Sequence, residues 1–316
     1  MSECNAGTAK LWNTIKSLNG NPSRNTNEGI YFNDKVIHDP KKIANKFNQQ
    51  FTPSSNKRSS KAFRRTTRNI RKPTQDPEIT ITVEQTTKAI KKSKCSKAMG
   101  PDNISPIMLK NIGPKGIQYL TNIYNNSINR SIVPMIWKTA RIIPLPKPGK
   151  ESNQGPSYRP ISLLSPAAKT LEAIIQPEIA DSIELKDHQH GFRKSRSTTT
   201  ALQGISDHII KGLNIKKPVK RTVLVAIDLS KAFDTVDHEI LLNDINELPL
   251  NQRIKRFLFA YLRGRQTYVE FRGKKSKCRI MRQGSTTRWS SISTSFQSLH
   301  EKDAPTPTRC HGQNLC

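Results

Sequence analysis

Between Arg221 and Asp228 lie five consecutive apolar residues, Val223 to Ile227, and they constrain this chain more than any other stretch. A run of this length, rich in β-branched residues and bracketed by charge, predicts a strand buried on both faces. Asp228 then sits where a buried strand emerges, with a rigid base behind it and open space in front. On spacing alone, an N-cap or turn aspartate is the more ordinary role for it.

Around this run the pattern is mostly helical. Thr82 and Gln85 have capping-box spacing for a helix that continues through Ile90, and a second helix is predicted over Gly116 to Arg130. Thr139 to Leu145 is short, apolar and bounded by prolines, which fits a strand at a sheet edge. Ser165 and Pro166 open a helix through Ala168, Leu171, Ile174 and Ile175, and another helical stretch runs from Thr198 to about Leu213. Past the apolar run come helices at Asp237 to Leu248 and Leu250 to Leu262. Two alternating segments, Gln266 to Phe271 and Lys277 to Met281, then form a hairpin across Gly273.

Residues 1–75 are polar and basic and read as a largely disordered, linker-like region with two short islands. Leu11, Trp12, Ile15 and Leu18 share a helical face, while Asp39 and Pro40 resemble an N-cap and N1 leading into Ile43, Phe47 and Phe51. Ser54 to Arg71 is nearly all basic and hydroxyl residues, a flexible linker or an RNA-contacting arm, so order is expected to begin near Ile79.

Charge narrows the partners. Lysines and arginines number 53 against 24 acidic residues, a net charge of +29, so the default partner is a polyanion and nucleic acid comes first. No apolar run approaches the roughly 18 residues of a spanning helix, and the N-terminus lacks a secretory signal's apolar stretch, so no membrane partner and an intracellular location are expected. Five scattered cysteines without a CxxC pair suggest reduced thiols, and Cys310, His311 and Cys316 lack the second pair that a metal site would need.

The segment from Ala226 to Leu242, AIDLSKAFDTVDHEILL, closely resembles motif A of reverse transcriptases. In that family the first aspartate, here Asp228, binds metal. The aromatic five positions later, here Phe233, stacks under the deoxyribose and selects dNTPs over rNTPs, although core packing is the ordinary role of such a ring. Asp234 and Asp237 are as well explained by turns or caps. Trp137 to Glu172 resembles the fingers motif of the non-LTR retrotransposon branch, in which Lys147 and Arg159 match positions facing the incoming nucleotide or template, with Arg141 a weaker third. HQHGFRKSRSTTTAL, from His188 to Leu202, matches the HGFR signature, whose Arg193 and Arg196 would hold template backbone. Gly100 and Pro101 match a turn of the family's GPD motif, and Gln283 and Gly284 match the start of motif B, which contacts nucleotide and template. The resemblance implies an α+β right-hand polymerase, with fingers and a partial palm over residues 76–285. It also implies Mg²⁺ as cofactor, and dNTPs, an RNA template and a DNA primer as ligands; two metals about 3.5–4 Å apart would clamp the reacting oxygens.

After Gly284 the resemblance stops: the expected LSP helix and the second aspartate pair are not readable, and residues 286–316 form an irregular tail. Read one nucleotide later with permitted codons, the stretch from Trp289 can encode GPLSPLLFNLYM, the missing continuation of motif B. The expectation is an out-of-frame tail and a catalytically incomplete polymerase, with a non-catalytic RNA- or DNA-binding remnant as the alternative. Sequencing the locus across codons 280–290 is expected to reveal an insertion or deletion relative to intact copies, and an uninterrupted frame without one overturns the idea.

Overall fold

The computed structural model describes residues 29–33, 35–52, 61–70, 75–183, 185, 187–191, 193, 195–215, 222–227 and 236–284. The expectations for Leu11 to Leu18, Asp228, Phe233, Asp234 and the tail after 284 lie outside these residues. Within them the protein mixes helices with a sheet, as an α+β fold should.

The sheet is assembled from distant segments. Strands β3 (Thr139–Pro146) and β4 (Tyr158–Leu163) form an antiparallel hairpin, and β3 also pairs in parallel with β5 (Gln266–Phe271). β3 was expected at an edge and is interior. Its prolines explain how that is tolerated: β5 pairs only with Thr139 to Ile142, so Pro144 and Pro146 fall where a single neighbour remains. The hairpin expected after β5 forms, with its return strand split into β6 (Lys274–Lys275) and β7 (Arg279–Ile280). Glu270 pairs with Lys275 and Thr267 with Arg279, so the return strand carries one extra residue, a β-bulge at Ser276 to Cys278.

The N-terminal region supplies a correction. β1 (Ile30–Phe32) and β2 (Lys35–Ile37) make a small hairpin, and α1 (Pro40–Phe51), capped by Asp39 as predicted, covers one face of the main sheet. Phe47 meets Phe32, Phe51, Tyr158 and Phe271 ring to ring, over a core of Ile30, Ile43, Ile142 and Val269. Asn48 enters the bulge: its Nδ2 lies within donating distance of Ser276 Oγ (3.0 Å) and the carbonyls of Lys277 (2.8 Å) and Thr267 (3.3 Å), while its Oδ1 accepts from Thr267 Oγ1 at 3.0 Å. Helix α2 (Lys61–Ile70) buries Phe63 and Ile70 inside the stretch expected to be a linker, with Phe63 stacked on Phe259. Packed structure is therefore already present at residues 29–52 and 61–70, well before Ile79, because a few well-spaced aromatics suffice when a sheet face is waiting for them.

Most of the remaining helices match their local signals, while the two short ones, Pro106–Lys110 and Met135–Lys138, were not anticipated. In chain order the remaining helices are α3 (Val83–Lys92, with the Thr82/Gln85 capping box), α4 (Pro106–Lys110), α5 (Pro114–Arg130), α6 (Met135–Lys138), α7 (Pro166–Asp181, capped by Ser165), α8 (Thr198–Leu213), α9 (His238–Glu247) and α10 (Gln252–Leu262). Most of them share a second, larger core that includes Tyr124, Leu171, Leu241, Ile254 and Phe257. Gly100 lies so close to the chain before α7 that an added Cβ would sit 2.5 Å from the Leu164 carbonyl carbon, so the Gly-Pro turn is a packing requirement.

A buried polar cluster joins α7, α10 and β5. Tyr261 donates its hydroxyl to Glu172, and Arg265 lies 4.8 Å over the Tyr261 ring. Burial raises the pKa of Glu172, opposed by the Tyr261 hydrogen bond and the Arg265 charge.

The run Val223 to Ile227, predicted to be a strand buried on both faces, is neither: it is irregular, and Val223 and Ile227 are 81% and 85% exposed. An apolar run fixes only a preference for burial; a strand also needs a free sheet edge, and none among the described residues pairs with it.

Asn48 is expected to hold the N-terminal layer in place. Asn48→Ala removes one donor from the Thr267 and Lys277 carbonyls and from Ser276 Oγ, and the acceptor of Thr267 Oγ1, a loss of about 2–3 kcal/mol in a urea unfolding titration. A change within about 0.5 kcal/mol, the scale of surface substitutions, would show that α1 is not anchored there.

Candidate functional site

Covering one sheet face leaves the other open. Along β3, Ala140, Ile142 and Pro144 face α1, so Arg141, Ile143 and Leu145 point the opposite way. The registers place Leu163, Ile161 and Arg159 opposite these three on β4, and Tyr268 beside Arg141 on β5. Leu145, Ile161 and Arg159 are exposed.

Lys147 follows β3 directly. Its backbone N–H donates to the Ser157 carbonyl at 2.7 Å, and its ammonium donates to the Pro156 carbonyl at 2.9 Å. Arg159 is the cross-strand partner of Leu145, two residues before Lys147, so both predicted cations lie at one end of the hairpin. An ammonium held by a single carbonyl keeps two protons for an anion, and an exposed guanidinium offers a planar fork.

Arg141 is engaged differently. Its Nη2 donates to Glu270 Oε1 at 3.1 Å and its Nε lies 3.0 Å from Oε2, a two-point ion pair between segments 129 residues apart. The pair pins β3 to β5. Beside it, the Lys275 ammonium stands 5.6 Å over the Tyr268 ring, on the same face because Lys275 is opposite Glu270. Tyr268, Glu270 and Lys275 were not singled out from sequence. Their alternation was visible, but only the β3–β5 pairing places them beside Arg141.

Gln283 and Gly284 are held against the chain that leads into α9. Gln283 bridges Asp237, and the Gly284 N–H donates to the Val236 carbonyl at 2.8 Å. Gly284 has φ +83°, a conformation that glycine adopts without strain. The buried His238 donates from Nε2 to the Gly284 carbonyl at 2.7 Å and lends its own N–H to the Arg282 carbonyl. Burial is the main cause lowering the His238 pKa, opposed by the hydrogen bond to Gly284, while Arg265 lowers it further and Asp237 raises it. Asp237 spends its carboxylate on the Glu239 N–H as the cap of α9, in line with the capping role open to it from sequence.

Arg193 and Arg196 belong to a separate loop. Both approach Asp187 Oδ1, at 3.7 and 3.8 Å, and the loop is tied to α8 by a 2.8 Å hydrogen bond between His190 Nδ1 and Thr200 Oγ1. One exposed carboxylate between two guanidiniums leaves net positive charge facing solvent.

Among the described residues no three His, Cys, Asp or Glu side chains converge as a metal site. The expectation of metal binding rests on Asp228, outside those residues. No described helix is long and apolar enough to cross a membrane.

The sequence is similar to known reverse transcriptases. Residues 145–295 match the family model described as "Reverse transcriptase (RNA-dependent DNA polymerase)". The chain is 34% identical over 235 residues to "Probable RNA-directed DNA polymerase from transposon BS" of Drosophila melanogaster, covering 73% of this chain and 25% of that protein. It is 32% identical over 184 residues to "Probable RNA-directed DNA polymerase from transposon X-element" of the same species, covering 56% and 19%. Over 272 residues it is 27% identical to "RNA-directed DNA polymerase from mobile element jockey", also of that species, covering 84% and 29%. The chain thus spans between 19% and 29% of the length of these three relatives.

The His238 clasp should be sensitive to acid. Its pKa in the folded protein lies below the ordinary 6.5, so its contribution is complete above that pH and is lost as pH falls from there toward the folded value. Melting temperatures followed from neutral pH to pH about 5 should fall more steeply for the wild type than for His238→Gln, and parallel curves would remove this role.

Proposed function

The chain belongs to the reverse transcriptase family, in its non-LTR retrotransposon branch, and on that premise we propose that it carries the fingers and the first part of the palm of an RNA-directed DNA polymerase. The observation that carries the reading is the two-faced hairpin β3–β4: α1 seals one face, the other stays open, and Lys147 and Arg159 stand together at its end. A dNTP triphosphate needs fixed positive charge presented to open solvent, and this hairpin end offers it. Gln283 and Gly284, clasped by Val236 and His238, would border the nucleotide or template, with Arg193 and Arg196 on the template backbone.

In this reading Asp228 is the carboxylate that takes Mg²⁺, which when bound would stabilise charge on the transferring phosphoryl group. Phe233 would close the space needed by a ribose 2′-OH. Template RNA, DNA primer and dNTPs are the proposed ligands, in an intracellular setting.

A second reading has one observation in its favour. Val223 to Ile227 lies exposed outside the sheet, so the described residues do not form the buried strand from which a metal-binding carboxylate was expected to emerge. On that reading the chain grips nucleic acid without polymerising.

Two measurements separate these readings. Lys147→Ala combined with Arg159→Ala should weaken binding of a fluorescent dNTP about 10- to 100-fold, the loss of one or two charge-assisted hydrogen bonds; unchanged affinity overturns the nucleotide site. In primer extension on an RNA template, activity lost in Asp228→Ala supports the catalytic reading and overturns the expectation that the chain is catalytically incomplete. Extension that survives the substitution removes Asp228 from it, and RNA binding that falls steeply with salt, with neither extension nor dNTP dependence, selects the second reading.

A further inference from the structure

A pocket of about 360 Å³ opens between α2, the turn after α5 and the outer side of α10. Arg130, Lys138, Arg256 and Arg263 line it, with Ser131 and Phe259 among its other walls. None of these four cations has a carboxylate partner among the described residues. Arg130, Lys138 and Arg263 stand at helix C-termini, where the helix dipole accounts for single positive charges. It does not account for Arg256, in the middle of α10, or for four cations facing one concavity.

Two further observations show that the pocket is electrostatically unfinished. The Ser131 hydroxyl oxygen is buried without a hydrogen-bond partner. Lys138 is pushed below the ordinary lysine range by burial, and then by the charges of Arg265 and Arg263. Like charges crowded into a half-buried hollow cost stability, and such a cost is characteristic of a site awaiting an anion.

We propose that this pocket binds phosphates of a nucleic-acid strand, as a contact separate from the nucleotide-facing end of the hairpin. The choice of nucleic acid over other anions rests on the polymerase reading and on the chain's charge of +29. The separation follows from chain geometry: Lys138 precedes the first residue of β3 and Lys147 follows its last, and nine steps at about 3.3 Å each place the two backbone positions roughly 30 Å apart. Guanidiniums present paired donors to phosphate oxygens, and the free Ser131 hydroxyl adds a neutral donor. A strand gripped here and at the hairpin would be held at both ends of β3.

The test uses the full chain and a fluorescein-labelled single-stranded RNA oligonucleotide, with anisotropy titrations at several salt concentrations. Arg256→Gln with Arg263→Gln should weaken binding about tenfold and flatten the slope of log affinity against log salt by about 1.4, the value for two phosphate contacts on a single strand. The charge-keeping pair Arg256→Lys with Arg263→Lys should retain the slope, which separates lost contacts from a damaged helix. Lys88→Gln with Lys115→Gln removes the same net charge elsewhere on the surface and should have a much smaller effect. Equal losses in the pocket and control pairs would mean that net charge alone is responsible, and would overturn the site. Inorganic phosphate should compete with RNA more than chloride does at matched ionic strength, and less so for the Arg256→Gln, Arg263→Gln pair; phosphate and chloride acting alike on both would mean diffuse charge only and would also overturn the site. If the pocket pair binds RNA like the wild type while the Lys147/Arg159 pair loses dNTP affinity, the pocket falls and the polymerase reading stands.

Discussion

The parallel pairing of Thr139–Ile142 with Gln266–Val269 is the contact on which the rest of the fold depends. It closes a very long loop, and loop closure of that size costs conformational entropy that local contacts cannot repay. Three features offset it at the seam: the ladder itself, the two-point Arg141–Glu270 ion pair on the open face, and the aromatic cluster around Phe47 on the covered face. Each depends on the other two. Without β5 beside β3, α1 has no complete floor to pack on, and Asn48 has no bulge to fill.

That seam also divides the sheet by chemistry. One face is sealed with aromatics drawn from residues 30–52, and the other displays cations, a tyrosine and a few aliphatics to solvent. A protein with so large a positive excess must keep most of its cations in water or set them against anions. It does so in three ways: exposure at the hairpin end, pairing at Arg141, and burial of Arg265 beside Tyr261 and Glu172. The pocket beneath α2 is where this economy is least complete, and it marks a second region where a polyanion would relieve repulsion.

The helices were legible because their signals are local. Asp39–Pro40, Thr82 with Gln85, and Ser165–Pro166 each satisfy orphan N–H groups within one turn, so sequence neighbours suffice to specify them. The site residues were legible only in part. Lys147 with Arg159 and Gln283 with Gly284 stood out because each lies in a short sequence motif, although the partners that hold Gln283 and Gly284, Asp237, Val236 and His238, are far away in sequence. Tyr268 and Lys275 drew no notice, because what makes them neighbours of Arg141 is a strand more than a hundred residues upstream.

By itself, then, the sequence determined the longer helices other than α2, several of their caps, the hairpin after Gly264, the surplus of positive charge and the family to which the motifs belong. Tertiary structure decided three things that no window of sequence contains. It made β3 an interior strand, because β5 arrived at its free edge. It drew residues 29–52 and 61–70 into the cores, because apolar surfaces elsewhere were waiting for their aromatics. It also left Val223 to Ile227 in solvent, since hydrophobicity expresses only a preference for burial and a strand exists only where a second chain segment offers its backbone hydrogen bonds.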